Sequence, residues 1–238
     1  MLKSLFGYFN NFAERATGLR IQPSADNRLS STRKTLLADH HISLVIDVGA
    51  NRGQWAKTLR QQNYQGEIIS FEPSKAFEEL RIVAERDPKW EIRNLALSKK
   101  VGTSPLYLSS NEQLSSSLLE PSGISHRRPD IAFKKTLDVS VSTLDKELGH
   151  NSKAFYLKID TQGSEMDVLL GAVRSLTNCI AIEFESAIVP MYVGETFHHQ
   201  IAEWLIGADF IPKQLVITDW DSDLNTLALD SIFVRKKN

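Results

Sequence analysis

The chain has 238 residues, 42% of them hydrophobic, which is enough for one large α/β domain with a substantial core. Its formal net charge of -1 lacks the basic excess that non-specific binding to a phosphate backbone requires, so nucleic acid is not favoured as a partner. The single cysteine, Cys179, excludes an internal disulfide and a cysteine-ligated zinc site, and favours a reducing, cytoplasmic location.

The first residues of the chain predict an amphipathic helix, because apolar side chains recur at helical spacing at Leu2, Leu5, Phe6, Phe9, Phe12, Ala13 and Ala16. The stretch lacks the uninterrupted apolar core of a signal peptide or a membrane span. We expect this helix to be an arm. It either docks on its own domain or on a second subunit, which would give a homodimer, or makes peripheral contact with a membrane. Only Lys3 and Arg15 would favour the membrane, and Glu14 offsets one of them. We predict an arm over residues 1–27 and a single domain over 28–238, beginning with a helix at 29–41.

A strand, a glycine-containing turn and a helix follow. The apolar run at 44–48 carries Asp47 and leads into Gly49, Ala50, Asn51 and Gly53. Glycine reaches positive φ at little cost, and Asn is one of the few other residues that enters the left-handed region readily. The helix predicted after Gly53 would aim its free N–H groups at a ligand held by the loop. These residues predict a nucleotide-cofactor loop.

The charge of Asp47 bears on which cofactor the loop holds. A glycine loop is shared by dinucleotide enzymes and by S-adenosylmethionine enzymes. A carboxylate just before the first glycine would repel a pyrophosphate, whereas S-adenosylmethionine carries an ammonium and a sulfonium. S-adenosylmethionine is therefore the favoured cofactor.

An acid ends the second predicted strand, at 67–71. Glu72 lies about twenty residues beyond the loop, where folds of this kind bind the hydroxyls of a ribose. Pro73 stops the strand, and Ser74 can cap the helix that follows. On a third predicted strand, at 90–97, Asn94 falls near the expected adenine edge, although Asn at this kind of position is also a common turn former.

Two further strands, at 154–159 and 179–184, end in carboxylates. Ligands bind outside the carboxyl ends of such strands, so Asp160 and Glu183 are the candidates for a catalytic base. Together they could also hold a divalent cation, which is possible but not favoured, and we assign no metal ligands. In the turn after Asp160, Ser164 and Asp167 have the spacing of a capping box.

The alternation of strands and helices predicts a doubly wound, mostly parallel α/β sheet. The last two strands, near 210–218 and 228–235, flank a polar turn and predict an antiparallel C-terminal hairpin. The serine-rich segment at 109–130 is long and has no clear periodicity, which is typical of a lid or a binding loop.

Three blocks of sequence resemble the FkbM family of S-adenosylmethionine-dependent methyltransferases. They are Ile46-Asp-Val-Gly-Ala-Asn-Arg-Gly53, Phe71-Glu-Pro73 and Leu157-Lys-Ile-Asp-Thr-Gln-Gly-Ser-Glu165, and the resemblance covers about residues 43 to 236. It implies a Rossmann-like class I methyltransferase fold. The family often has a glutamate where this chain has Gln162, so the resemblance carries no acid–base or metal role to that position.

The resemblance also implies an activity and a set of site residues. Asp47, Gly49, Asn51 and Gly53 would bind the methionine part of the cofactor, with Ala50 in the same loop. Glu72 beside Pro73 would bind the ribose, Asn94 would lie near the base, and Asp160 would face the methyl group. The implied reaction is O-methylation of a sugar, a glycan precursor or another small molecule. The alternatives are a non-catalytic binding or scaffold protein that keeps the cofactor fold, and a nicotinamide-dependent oxidoreductase.

Overall fold

The computed structural model describes residues 25–236, apart from 123 and 222. Most of the predicted N-terminal arm, residues 1–24, lies outside the described residues, so its helix and its contacts stay predictions. Across the described part of the chain, no helix combines the length and the apolar character needed to span a membrane. The first described helix begins at Ala25, four residues before the predicted start.

Seven strands of the described residues form the main sheet, in the order β3-β2-β1-β7-β8-β10-β9. Neighbours from β3 to β8 pair in parallel, and β10 pairs antiparallel with both β8 and β9. The predicted fold class, including the C-terminal hairpin, is confirmed. The strands are β1 (Leu44–Val48), β2 (Glu67–Phe71), β3 (Trp90–Arg93), β7 (Phe155–Ile159), β8 (Cys179–Ala187), β9 (Phe210–Trp220) and β10 (Thr226–Arg235).

Helices cover both faces of this sheet, so β1 and β7 at its centre are buried over all five of their residues. Leu44, Ile46 and Val48 of β1 pack into one apolar cluster, and Val45 packs into another on the opposite face. The helices are α1 (Ala25–Asp39), α2 (Gln54–Gln61), α3 (Phe77–Ala84), α4 (Ile124–Arg127), α5 (Leu144–Leu148), α6 (Glu165–Leu170) and α7 (His198–Gly207), with a 3-10 turn at Ser175–Asn178.

The single strand predicted at 90–97 is wrong, because the chain turns at Asn94. β3 ends at Arg93, and the short β4 (Ala96–Leu97) joins a second, three-stranded sheet. In that sheet, β6 (Phe133–Ser142) lies between β4 and β5 (Gly102–Ser109). The sequence pattern does not predict the first half of β6, because this half pairs with β5 at mostly exposed positions and shows no buried alternation.

Candidate active site

The loop after β1 adopts the conformation that its residue types predict. Gly49, Asn51 and Gly53 all have positive φ, at 78°, 48° and 77°. A Cβ at Gly49 would overlap the backbone carbonyl of Asp160, so only glycine fits there. The amides of Gly49 and Ala50 both donate to the carbonyl oxygen of Phe71, at 3.0 and 3.1 Å. The loop is thereby clamped between the ends of β2 and β7.

Glu72 fixes the same loop from the end of β2. Its buried carboxylate accepts hydrogen bonds from the amide of Asn51 at 2.7 Å and from the amide of Ser74 at 2.8 Å. Ser74 in turn accepts from the amide of Ala76 at 3.1 Å, just before α3. Each carboxylate oxygen of Glu72 keeps a lone pair after these bonds, which a ligand hydroxyl can use.

A cleft lies beside this loop at the carboxyl ends of β1, β2 and β7, and we call it the first cleft. It has about 630 Å³ of empty space, part of it open to solvent. One wall is apolar, and the other is built from polar loop residues. The lining residues are Val48, Gly49, Asn51, Phe71, Glu72, Pro73, Leu95, Ala96, Leu97, Leu106, Gln113, Leu114, Ser116, Ser117, Leu118, Asp160, Thr161, Gln162 and Ser164.

Asn94, predicted to lie near the adenine, does not line the first cleft, although its neighbours 95–97 do. Its side-chain amide donates to the backbone carbonyl of Glu72 at 2.9 Å. Asn94 therefore holds the turn between β3 and β4, and the strand split at this residue turns Leu95 and Leu97 toward the cleft.

Asp160 follows β7, and both of its carboxylate oxygens are held. Oδ2 accepts from Nζ of Lys158 at 3.0 Å, and Oδ1 accepts from Nε2 of Gln162 at 2.8 Å. Gln162 has positive φ, and the same nitrogen donates to Oε2 of Glu185 at 2.9 Å. Burial, followed by the charges of Asp160 and Asp230, raises the pKa of Glu185 well above its usual range.

Asp47 does not line the first cleft. It is fully buried beneath the loop, where Oδ2 accepts from the hydroxyl of Ser70 at 3.1 Å and Oδ1 lies 3.8 Å from Nζ of Lys158. Burial raises the pKa of Asp47, although Lys158 and Ser70 act against this rise. Because its charge is paired below the loop, Asp47 cannot by itself discriminate between a pyrophosphate and a sulfonium in the first cleft.

Glu183, the second predicted base, lies away from the first cleft, and four donors surround it. Arg33 donates from Nε at 2.7 Å and from Nη2 at 2.5 Å, Tyr156 from its hydroxyl at 2.6 Å, and Trp55 from Nε1 at 3.2 Å. Burial alone would raise the pKa of Glu183, but Arg33 and the other donors outweigh it and lower the pKa. These contacts show that Glu183 attaches α1 to the sheet, which leaves Asp160 as the candidate base.

A second cleft opens on the other side of Asp160, between α1, α2 and the carboxyl ends of β7 and β8. It has about 1120 Å³ of empty space, part of it open to solvent. Of the described residues, only Asp160 lines both clefts. The second cleft is lined by Leu29, Ser30, Arg33, Gln54, Trp55, Thr58, Gln62, Lys158, Ile159, Asp160, Glu183, Phe184, Glu185 and Asp230.

The turn after Asp160 is held by Glu165 and not by the predicted capping box. Ser164 makes no side-chain cap, and Asp167 instead pairs with Lys99 at 2.9 Å. The buried carboxylate of Glu165 accepts from the amides of Thr161 and Gly163 at 2.9 and 3.0 Å. Burial raises the pKa of Glu165 to about 7. No three metal-ligating side chains within residues 25–236, as described, are grouped so that they could hold an ion.

Several site residues carried no sequence signal of their own. Lys158 sits inside an apolar strand, Arg33 and Trp55 lie on helices, and Asp230 lies on the final hairpin. Each was predicted only as part of an element. Gln162 and Glu185 stood next to predicted site residues, but their shared hydrogen bond depends on the pairing of β7 with β8.

The sheet is doubly wound, with a glycine loop after β1, an acid at the end of β2 and a cleft above them. These features define a fold that binds nucleotide cofactors. The sequence profile of the methyltransferase FkbM domain matches residues 47–212. The chain therefore belongs to this family of methyltransferases. No protein of curated function matches the chain significantly.

Solved structures with a similar fold share little sequence with this chain. The methyltransferase FkbM of Methylobacillus flagellatus KT is 14% identical with a TM-score of 0.50, over 80% of this chain and 43% of that protein. This chain thus spans less than half of that relative. Magnesium protoporphyrin IX methyltransferase of Synechocystis PCC 6803 was solved with bound S-adenosylmethionine. It is 12% identical with a TM-score of 0.50, over 98% of this chain and 96% of that one.

An rRNA methylase of Streptococcus thermophilus is 12% identical with a TM-score of 0.48, over 91% of this chain and all of that one. This likeness is too distant to bear on the acceptor of this chain.

Proposed function

We propose that this protein transfers a methyl group from S-adenosylmethionine to a hydroxyl group of a small molecule, a sugar or glycan precursor included. The observation that carries the proposal is the position of Asp160. Asp160 lines both the first cleft, which has the features of a nucleoside site, and the second cleft, which can admit another molecule. A base at such a junction can reach an acceptor that faces the cofactor.

The residues of the first cleft fit S-adenosylmethionine. Leu97, Leu106 and Leu118 offer apolar surface to a flat base, and the free lone pairs of Glu72 can accept hydrogen bonds from ribose hydroxyls. The positive φ values at Gly49 and Asn51 bring loop backbone to the cleft without intervening side chains. Asp47, which the sequence placed on the methionine part, would act through Lys158 and the loop above it.

When bound, the sulfonium supplies a methyl group already activated for displacement. The protein must then position the hydroxyl in line with that methyl group and exclude water. Asp160 would accept the proton of the acceptor hydroxyl, so that its oxygen could take the methyl group that the cofactor would supply, with the sulfur leaving as a neutral thioether. Lys158 and Gln162 hold the carboxylate in one orientation for this transfer.

Calorimetry and a transfer assay test the proposal. Wild-type protein is expected to bind S-adenosylmethionine, and Glu72→Gln to weaken binding by about 10-fold, since a hydrogen bond to a charged group contributes about 1.5–3 kcal/mol. Glu203→Gln, an exposed change on α7, is the control for loss of charge. Asp160→Asn should lower turnover by about 100-fold or more while cofactor affinity changes little.

Two results would contradict the proposal. Absence of binding heat with wild-type protein would remove the cofactor assignment. Unchanged turnover in Asp160→Asn would remove Asp160 from catalysis. Titration with reduced nicotinamide cofactor, followed by fluorescence, is expected to show no binding and separates the oxidoreductase alternative. Transfer of labelled methyl groups to any acceptor excludes a catalytically silent scaffold.

A further inference from the structure

Building on the proposed methyl transfer, we propose that the second cleft is the acceptor site and that it takes neutral or positively charged hydroxyl compounds, not phosphorylated ones. The proposal rests on where this cleft lies, on which charges line it and on which of those charges are already paired.

The two clefts reach Asp160 from opposite faces of the main sheet. The first cleft reaches Asp160 from the face of the sheet that carries Val48 and Leu97, and the second cleft reaches it from the face that carries α1 and α2. A molecule in the second cleft therefore meets the candidate base without crossing the nucleoside site. This arrangement allows the acceptor to bind and leave while the cofactor stays bound.

Acidic side chains outnumber basic ones in the lining of the second cleft. The lining of the second cleft carries two cations, Arg33 and Lys158, against four carboxyl groups, those of Asp160, Glu183, Glu185 and Asp230. The two basic side chains are also committed to acids: Arg33 donates twice to Glu183, and Lys158 donates to Asp160. Among the described residues of the lining, every basic side chain is already in an ion pair, so a phosphate in this cleft would meet acidic groups without a free cation to bind it.

The pairing of β8 with β10 brings two of these acids together. Glu185 and Asp230 lie directly opposite each other in this antiparallel ladder, and both line the second cleft. When both groups are ionised, like charges opposite each other are unfavourable, and a donor hydroxyl or ammonium between them gains from both. Burial and the charge of Asp160 also raise the pKa of Asp230 to about 7, so at neutral pH it can either accept or donate a hydrogen bond.

Lys158 adds a donor for the reacting oxygen. It is only 7% exposed and lines the second cleft, where Nζ donates to Oδ2 of Asp160 and lies 3.8 Å from Oδ1 of Asp47. An ammonium has three N–H donors. A donor that is not bonded to Asp160 can bond to a hydroxyl oxygen whose proton points at Asp160, which is the orientation that methyl transfer needs.

A charge-sorted extract tests the acceptor class. Small-molecule extract is separated on anion- and cation-exchange resins into anionic, neutral and cationic fractions, and each is incubated with methyl-labelled S-adenosylmethionine and the full chain. Label is expected in the neutral or cationic fractions. Label predominantly in the anionic fraction would overturn the proposal. Label in no fraction, with cofactor binding intact, would overturn the proposed transfer and the acceptor site with it.

The location of the site is tested by Asp230→Asn against Glu203→Gln, which removes an equal charge at an exposed position. We expect Asp230→Asn to lower kcat/KM for the methylated fraction at least fivefold and to leave the affinity for S-adenosylmethionine within twofold of wild type. The control should change neither. If Asp230→Asn weakens cofactor binding instead, the second cleft holds part of the cofactor and the acceptor assignment is wrong.

Discussion

The carboxamide nitrogen of Gln162 lies 2.8 Å from Oδ1 of Asp160, and it donates to Glu185 as well. A primary amide has two N–H donors, so this single group can satisfy one oxygen of each acid. It occupies the point at which the two carboxylates converge. Gln162 thus lets the two acids lie close together and holds Asp160 from the side opposite Lys158.

Gln162→Glu is expected to lower turnover by about tenfold or more, because a third carboxylate would repel Asp160 and release it from its fixed orientation. The same variant should gain affinity for Mn²⁺, since three carboxylates would then converge without a donor between them. Turnover assays and calorimetry with Mn²⁺ measure the two effects. Gln65→Glu, at an exposed position, is the matched control. Wild-type turnover in Gln162→Glu would show that the bridge is dispensable.

Gly49→Ala is expected to abolish measurable binding of S-adenosylmethionine and to lower the melting temperature. The added Cβ would overlap the carbonyl of Asp160, and a φ of 78° is strained for alanine. Gly102→Ala is the control, because no atom lies within 4 Å of a Cβ built there. Calorimetry and thermal unfolding of both variants make the comparison, and equal cofactor affinity in the two would refute the close approach at the loop.

Arg33→Met should lower the free energy of unfolding at pH 7 by about 3 kcal/mol, because it leaves the buried carboxylate of Glu183 without its ion pair. Arg33 holds the pKa of Glu183 low, so this stabilisation is present above the ordinary carboxyl pKa and is lost as the pH falls. The difference from wild type should therefore shrink toward pH 4 in urea titrations.

Arg81→Met is the control for that experiment, since Arg81 makes exposed ion pairs on α3 with Glu78 and Glu85. We expect it to change the free energy of unfolding little at either pH. An equal loss in the two arginine variants would contradict the attachment of α1 through Glu183.

Asp230→Asn should stabilise the protein more at pH 8 than at pH 5. Burial, followed by Asp160 and Glu183, raises the pKa of Asp230 to about 7, so the unfolded chain ionises first at this residue and stability falls as the pH rises from the ordinary aspartate pKa to about 7. The gain at pH 8 should be on the order of 2 kcal/mol, since one pKa unit corresponds to about 1.36 kcal/mol and the side chain is partly exposed. Denaturant titrations at the two pH values measure it, and a loss of stability at pH 8 would refute the buried-charge argument.

Local patterns predicted the part of the site that one stretch of chain builds. The left-handed residues of the loop at Gly49 and Asn51 and the acid at Glu72 follow from residue type and from the distance to the preceding strand. The direction of the Asp47 side chain did not follow. It depends on which face of β1 meets Ser70 and Lys158, and both of these belong to neighbouring strands.

The second cleft could not be predicted, because it joins α1, α2, the ends of β7 and β8 and the middle of β10, which are far apart in the chain. The role of Glu183 illustrates this limit. As an acid at a strand end it had the pattern of a base, whereas its donors come from positions 150, 128 and 27 residues away. Similarly, the turn at Asn94 depends on the carbonyl of Glu72, so the apolar alternation across residues 90–97 suggested one continuous strand.

The split of that strand at Asn94 has a consequence for how this protein can diversify. The wall of the first cleft at Leu97 and Leu106 belongs to the small sheet, whereas the second cleft is walled by helices that pack on the opposite face of the main sheet. With the acceptor in the second cleft, as we propose, substitutions on α1 or α2 would change which molecule is methylated without altering the surfaces proposed to hold the nucleoside. Asp160 lines both clefts. A substitution at Lys158 or Gln162, which hold its carboxylate, would therefore affect both proposed functions, cofactor binding and acceptor binding.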